Sequence, residues 1–367
     1  MDRFKICPVL KRVCIVVLLA VFICVHASAQ RLLFDNEISI HFDNTEYAGS
    51  GYSDARTIFA VKITPTLEYT WDDKHAVAIG TELLKDFGSR SCVDNARLMA
   101  FYRFSGGKFG ASAGIFERSY LKGRYSRVFF SDSTLVYHNL IQGIALNYDA
   151  GEGRAFAELA VDWEGVYSPY TREKFQILAA AGGKFAKIFD AGVSLSMLHY
   201  ANKSTFEISN VVDNILINPY IDATFAAFFQ FVVRLGYVQA LQRDRRLNEG
   251  WKTPKGGEFD LRISKWGVFL DNSLYVGKSL MPFYHGTGTD GARYGSDLYA
   301  GDPFYATTSG LYNRTGIGYE RAFDGDRVKV RTEMVLQSDG HRLYYQQLIG
   351  ISARICPTLY DKSKHGK

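Results

Sequence analysis

Thr57 to Trp71 reads Thr-Ile-Phe-Ala-Val-Lys-Ile-Thr-Pro-Thr-Leu-Glu-Tyr-Thr-Trp. Phe59, Val61, Ile63, Pro65, Leu67, Tyr69 and Trp71 share one parity; Ala60, Lys62, Thr64, Thr66, Glu68 and Thr70 share the other. Side chains alternate across a strand, so the segment has one apolar face and one wet, charged face. A soluble strand usually runs about 5–6 residues, whereas about 9–11 cross a bilayer when tilted. This run is longer than either, and it ends in aromatics, as strands do at a membrane interface.

The alternation recurs along nearly the whole chain. It predicts about sixteen strands, near 34–43, 57–71, 74–85, 95–104, 108–118, 134–148, 153–164, 173–186, 188–200, 212–226, 228–240, 256–265, 267–277, 309–322, 326–337 and 341–355. Short turns such as Asp72-Asp73, Ser105-Gly106-Gly107, Lys265-Trp266 and Asp324-Gly325-Asp326 alternate with long connections at 44–56, 119–133, 201–211, 241–255 and 278–308. Short periplasmic turns alternating with long outer loops mark outer-membrane barrels, and an even strand number returns both termini to one side.

With the apolar parity facing outward, the other parity gathers charge. It collects Lys62, Glu68, Glu82, Arg97, Arg103, Arg154, Glu158, Asp162, Lys174 and Lys184 in the first half of the chain. Asp222, Arg234, Glu258, Asp260, Arg262, Arg314, Glu320, Lys329, Arg331 and Glu333 follow in the second. A soluble sandwich also alternates, because its outer face is solvated, so parity alone leaves inside and outside open. Strand length, terminal aromatics and turn alternation favour the membrane reading. On the fifteenth strand Val328, Val330, Thr332, Met334 and Leu336 are expected to face lipid, and Lys329, Arg331 and Glu333 the lumen.

Residues 1–29 read as a cleaved signal peptide. Arg3, Lys5, Lys11 and Arg12 are basic, Val13 to Val25 is apolar, and Ala27-Ser28-Ala29 fits the small-x-small rule with Gln30 as first mature residue. The formal charge of +5 falls to +2 once those four cations and Asp2 leave. A near-neutral chain offers no global electrostatic case for nucleic acid. Cys7, Cys14 and Cys24 leave with the leader, and Cys92 and Cys356 cannot build a disulfide framework. No mature segment approaches the roughly 18 apolar residues of a membrane helix. Aromatics nevertheless make up 14% of the chain against a mean hydropathy of −0.10. These features predict an all-β chain: a transmembrane antiparallel β-barrel over 30–355, with 14 or 18 strands open as alternatives. A short polar tail, 356–367, follows it. This topology puts Cys92 outside and Cys356 on the periplasmic side, too far apart to pair.

The chain resembles bacterial outer-membrane β-barrel proteins of the porin-like type over roughly 34–355, and the Ala27-Ser28-Ala29-Gln30 junction is similar to those of Bacteroidota. The resemblance implies an outer-membrane location and a last strand read by the barrel-assembly machinery. Gln346 to Ile355, with Gly350 in place, is similar to such a strand, although Ile355 stands where an aromatic is usual. Outer-membrane lipid and lipopolysaccharide are the expected partners, a homo-oligomer is possible, and no cofactor is expected.

Chemistry is thinner. His199-Tyr200-Ala201-Asn202-Lys203-Ser204 resembles the His and Ser of outer-membrane lipid hydrolases, where the Ser is nucleophile and the His its base. Ala201 occupies the Ser position, Ser204 is displaced, and Glu207 or Asn210 would orient the ring. An interfacial His at a strand end explains the segment equally simply. Arg243, Arg245, Arg246, Lys252 and Lys255 crowd one loop, and Lys122, Arg124 and Arg127 another; they suit phosphate clamping or plain solvation. Loop 278–308 holds Tyr294, Tyr299, Phe304 and Tyr305 with Asp290, Asp297 and Asp302, fit for stacking on sugars or for a packed lid. No metal spacing is present. Passive diffusion of small hydrophilic solutes is the first functional expectation. A lipid hydrolase using His199, or a closed surface barrel whose loops bind glycan or protein, is the alternative.

Overall fold

The computed structural model describes residues 30–168, 171–201, 210–247, 249–286 and 294–362. The expected leader, 1–29, lies outside them. The chain forms β1 (Arg31–Glu46), β2 (Arg56–Trp71), β3 (His75–Asp86), β4 (Asn95–Gly106), β5 (Phe109–Glu117), β6 (Leu140–Asp149), β7 (Phe156–Gly165) and β8 (Glu173–Lys184). It continues with β9 (Phe189–Ala201), β10 (Val211–Ala226), β11 (Gln230–Asp244), β12 (Lys255–Lys265), β13 (Val268–Gly277), β14 (Leu311–Phe323), β15 (Val328–Ser338) and β16 (Leu343–Ile355). Each pairs antiparallel with its neighbour in the chain, and β16 closes the ring on β1, from Asn36 opposite Ile355 to Glu46 opposite Tyr345. A closed barrel leaves no edge strand, so every spanning backbone group finds a partner within the ladder.

Connections at one end are tight. Asp72 and Asp73 take φ of 52° and 51°, a left-handed region that Asp tolerates better than most residues. Trp266 and Gly267, at 55° and 88°, form the two-residue turn between β12 and β13, whose two positive φ values match a twisted hairpin. Trp71 stacks on His75 at 5.2 Å beside Tyr102 at this end, an interfacial aromatic cluster. Both chain ends of the barrel lie here too, which makes it the periplasmic side.

Burial follows the parity that the sequence predicts. In β2, Ala60, Lys62, Thr64 and Thr66 are buried while Phe59 faces out. In β15, Glu333, Val335 and Gln337 are buried, and Thr332, Met334 and Leu336 face out. One residue of slip would turn these charges into hydrocarbon, where a cation costs about 2–4 kcal/mol at mid-membrane. Met334→Arg, outward-facing in the middle of β15, therefore impairs assembly and Arg331→Val leaves a folded barrel. Loss of the heat-modifiable gel band reads the first outcome. Equal tolerance at both positions would refute the assignment.

Three expectations need correction. The strand expected over 134–148 starts only at Leu140; Asp132–Tyr137 is a short helix, α1. Ser131 caps it by accepting a hydrogen bond from Thr134 N, and Asp132 sits in its first turn, so capping chemistry outweighs alternation there. The tail after Ile355 is not simply polar overhang. Pro357 lacks an N–H and interrupts β16, yet Phe34 N donates to its carbonyl at 3.1 Å. Thr358–Asp361 then continues as β17 beside the start of β1. Finally, connection 118–139 does not stand in solvent but folds into the lumen, where the described residues of 278–310 pack against it as a packed lid would. Cys92, between β3 and β4, and Cys356, after β16, are both free and exposed.

Candidate functional site

The lumen wall is studded with carboxylates, and the infolded loops are built to meet them. Loop 118–139 leaves β5 with Arg118, whose Nη2 donates to Asp162 on β7; both are buried. The backbone N–H groups of Lys122 and Gly123 and the Tyr125 hydroxyl converge on Glu158. Arg124 donates to Asp222 at 2.8 Å, and Arg234 grips the same carboxylate with Nε and Nη2 at 2.7 and 3.0 Å. A buried carboxylate needs such donors, because an unpaired charge in a low dielectric is costly.

The described residues of loop 278–310 close the space from the opposite wall. Tyr305 donates to Glu258 at 2.9 Å, and Tyr312 on β14 donates to Asp302 at 2.8 Å. The two loops clip to each other through Ser131 N to Ala300 O (2.9 Å), Thr134 Oγ1 to Ala300 O (2.7 Å) and Asp302 N to Arg127 O (2.8 Å). Val128, Phe129, Phe304 and Tyr305 are buried together behind this clip. Burial raises the Asp302 carboxyl above the usual range, despite donors from Phe304 N and Tyr312. Burial acts the same way on Asp132 of α1, but Arg127 and Arg314 outweigh it and hold that group at about 2.

Two cavities stand out among the described residues. One of about 730 Å³ lies between loop 118–139 and the wall of β11 to β15, with Arg118, Arg127 and Asp132 on the loop side. Arg234, Asp260, Arg262, Asp271 and Arg331 line its wall side. There Arg262 bonds Asp271 at 2.7 Å and Arg331 bonds Glu320 at 2.8 Å, while both guanidinium groups lie over the Phe269 ring at 4.4 and 4.5 Å. The other, of about 590 Å³, opens at the periplasmic mouth among Arg31, Asp73, Lys74 and Arg103. Segment 118–123 divides them: Arg118, Ser119, Leu121 and Gly123 face the first, Tyr120 and Lys122 the second.

A second arrangement lies on the outer face, near the long-loop rim. Trp163, Phe175, His199, Asp213 and Arg243 stand directly opposite one another across β7 to β11. Trp163 stacks on Phe175, and Phe175 on His199, each at 5.0 Å. His199 Nδ1 donates to Asp213 Oδ1 at 2.9 Å. Arg245 binds the same carboxylate with Nε at 2.8 Å and Nη2 at 2.9 Å, Arg243 adds Nη2 at 3.0 Å, and Arg243 lies over Trp251 at 4.4 Å.

The solved outer-membrane protein OprD from Pseudomonas aeruginosa matches this fold at a TM-score of 0.51 with 12% identity, over 90% of this chain and 96% of its own. OpdO from the same organism gives 0.51 with 8% identity, over 91% and 98%. The chain has the closed-barrel fold of these proteins. A family model described as lipid A 3'-O-deacylase-type matches residues 25–200 of the 367. No curated protein matches the chain.

In this barrel most of the expected lumen charges do turn inward and pair. Glu82 takes Arg97 and, at 3.9 Å, Lys62; Arg103 bonds Glu68 at 2.8 Å; Lys174 pairs with Glu164 at 2.7 Å. Arg154 is a correction: it sits exposed beside Glu152 in the turn before β7, because β7 begins later than alternation suggests. Lys329 keeps the inward parity but is exposed near the periplasmic turn. Tyr294 and Tyr299, candidates for sugar stacking or for a packed lid, are buried as a lid requires, with Tyr294 donating to Asp244 at 2.7 Å. Arg246 is exposed, its backbone N–H bonded to Asp244. Ser204 and Glu207, and Asp290 of the long loop, lie outside the described residues. The group that orients His199 is Asp213, which sequence reading missed. One signal was available: Asp213 interrupts the outward apolar parity of Val211, Ile215 and Ile217.

Proposed function

We propose that the barrel is a porin-like channel for passive diffusion of small hydrophilic solutes, narrowed by its two infolded loops. The observation that carries this is the cavity of about 730 Å³ walled by Arg234, Arg262, Arg331, Asp260 and Asp271. Such a lining favours water and polar solutes, and a sixteen-strand ring is wide enough to hold an aqueous lumen. The reading includes a leader over 1–29 that carries the chain across the inner membrane, and assembly machinery that reads β16.

Planar-bilayer recording tests it. The purified barrel gives discrete open-channel currents, and Arg331→Glu shifts ion selectivity towards cations, because a pore-lining charge acts on the permeating ion at close range. Absence of any current, or selectivity indifferent to this charge reversal, would refute the channel.

Outer-membrane lipid hydrolysis is a second reading, supported by the outward His199–Asp213 pair and the family match over 25–200. A His held by a carboxylate is the base half of a nucleophilic site. The nucleophile half is what the reading lacks. Ala201 stands two residues on, and among the described residues His199 hydrogen-bonds to Asp213 alone. Fatty-acid release from lipid is the assay that reads it.

A further inference from the structure

We propose that the cavity at the periplasmic mouth binds phosphate, free or as the ester of a small solute, with Lys74, Arg103 and Lys122 as the residues that hold it. The inference stands whether or not the lumen conducts.

The pocket is built from three directions. Its wall comes from β4, β5 and β6, where Arg103 stands opposite Ser112 and Gly110 opposite Asn147. All four residues line the cavity of about 590 Å³, a size usual for a small-molecule site. A Cβ built at Gly110 would lie 2.5 Å from the Asn147 amide oxygen, so the glycine gives that amide room against the wall. Segment 118–123 closes the inner side with Tyr120 and Lys122. The turn between β2 and β3 supplies the third side with Asp73 and Lys74.

Each cation is positioned by contacts that leave donors over. Arg103 donates from Nη2 to Glu68 at 2.8 Å and from Nη1 to the Tyr120 hydroxyl at 3.3 Å, and lies over the Tyr120 ring at 5.4 Å. A guanidinium carries five N–H groups, so three stay uncommitted in these contacts. Lys122 is anchored by its backbone, since its N–H and that of Gly123 donate to Glu158. Lys74 is anchored likewise, its carbonyl accepting from Ser105 N at 2.7 Å. Neither lysine ammonium makes a hydrogen bond or ion pair with a described residue.

The charge count points the same way. Arg31, Lys74, Arg103 and Lys122 line the cavity, against Asp73 in the lining and Glu68 and Glu158 behind it. Four cations exceed three carboxylates by one, and Asp73 is already taken by Arg31. The larger cavity differs, because its Arg262 and Arg331 are committed to Asp271, Glu320 and Glu333. Donors converging from wall, loop and turn suit a tetrahedral oxyanion, whose oxygens accept in several directions, whereas a carboxylate offers two oxygens in one plane. Lysine supplies the compact point charge that phosphate sites use.

Calorimetric titration of the full-length barrel in detergent, at constant ionic strength, tests this. Inorganic phosphate is the first probe, glucose 6-phosphate the second, and acetate the carboxylate control. Expected is saturable phosphate binding, with acetate at least tenfold weaker. Displacement by glucose 6-phosphate assigns the site to esters, and its failure assigns it to the free ion. Lys122→Gln weakens phosphate binding by about tenfold, the loss of one charge-assisted hydrogen bond. Lys74→Gln acts in the same direction. Lys187→Gln, in a periplasmic turn outside the cavity, leaves the affinity unchanged. The heat-modifiable band confirms each variant's fold. Should Lys122→Gln fail to assemble, Lys74→Gln and the acetate comparison decide. No saturable phosphate binding, acetate as tight as phosphate, unchanged affinity in both cavity variants, or an equal loss in Lys187→Gln would overturn the proposal.

Discussion

A barrel carrying Gly301→Val passes several-fold more current in a planar bilayer than the native protein. Gly301 sits in the clip between the two infolded loops. A Cβ built there lies 2.2 Å from the Val128 carbonyl oxygen, where no real side chain fits. The obstacle is backbone rather than the end of a flexible side chain, so the loops must part. Parting them sacrifices the hydrogen bonds from Ser131, Thr134 and Asp302, and exposes an aromatic cluster that includes Phe129 and Phe304. The wall is a continuous ladder that does not use these contacts, so the heat-modifiable band survives. Conductance identical to the native barrel would show that the loops do not limit the pore.

Arg314→Ala lowers barrel stability by about 1–3 kcal/mol, the usual cost when buried polar groups lose one hydrogen-bond partner. Arg314 is only 1% exposed. Its Nη1 bonds Glu333 at 3.0 Å on the neighbouring strand, and its Nη2 reaches Asp132 of α1 at 3.2 Å. Removing it leaves Glu333 to Arg331 alone, whose Nη2 and Nε donate at 2.7 and 3.2 Å, and weakens the seat of loop 118–139 at the same time. The temperature at which the folded band disappears on gels, or a urea titration in detergent, measures the loss. Pairing Arg314→Met with Glu333→Met restores a large part of it, since apolar replacement of a buried pair is often neutral. A single mutant as stable as the native barrel would show that this triad contributes nothing to the fold.

Parity made the wall readable. Lys62, Glu68 and Glu82 on β2 and β3 were legible as inward-facing because every second residue around them is apolar, and a register slip would be expensive. The lumen filling was not readable in the same way. Loops 118–139 and 278–310 carry aromatics and charges with no period, and a solvated loop and an infolded plug look identical in such a string. Only the distances show that Tyr305 reaches Glu258 and Arg124 reaches Asp222. The rim site failed for a related reason. His199 was singled out by its neighbours in the chain, but its partner lies across the strand pair, fourteen positions away.

Alternation, strand length and turn spacing in the sequence already specify an antiparallel barrel of about sixteen strands and the two parities of its wall. Those properties rest on local alternation and on turn chemistry, each set by a few consecutive residues. Tertiary structure alone decided that the lumen is partly filled, that Tyr294 and Tyr299 face inward, and that Asp213 joins His199 to Arg243 and Arg245. These depend on which strands stand side by side and on where long loops find buried carboxylates, contacts whose partners lie tens to hundreds of residues apart.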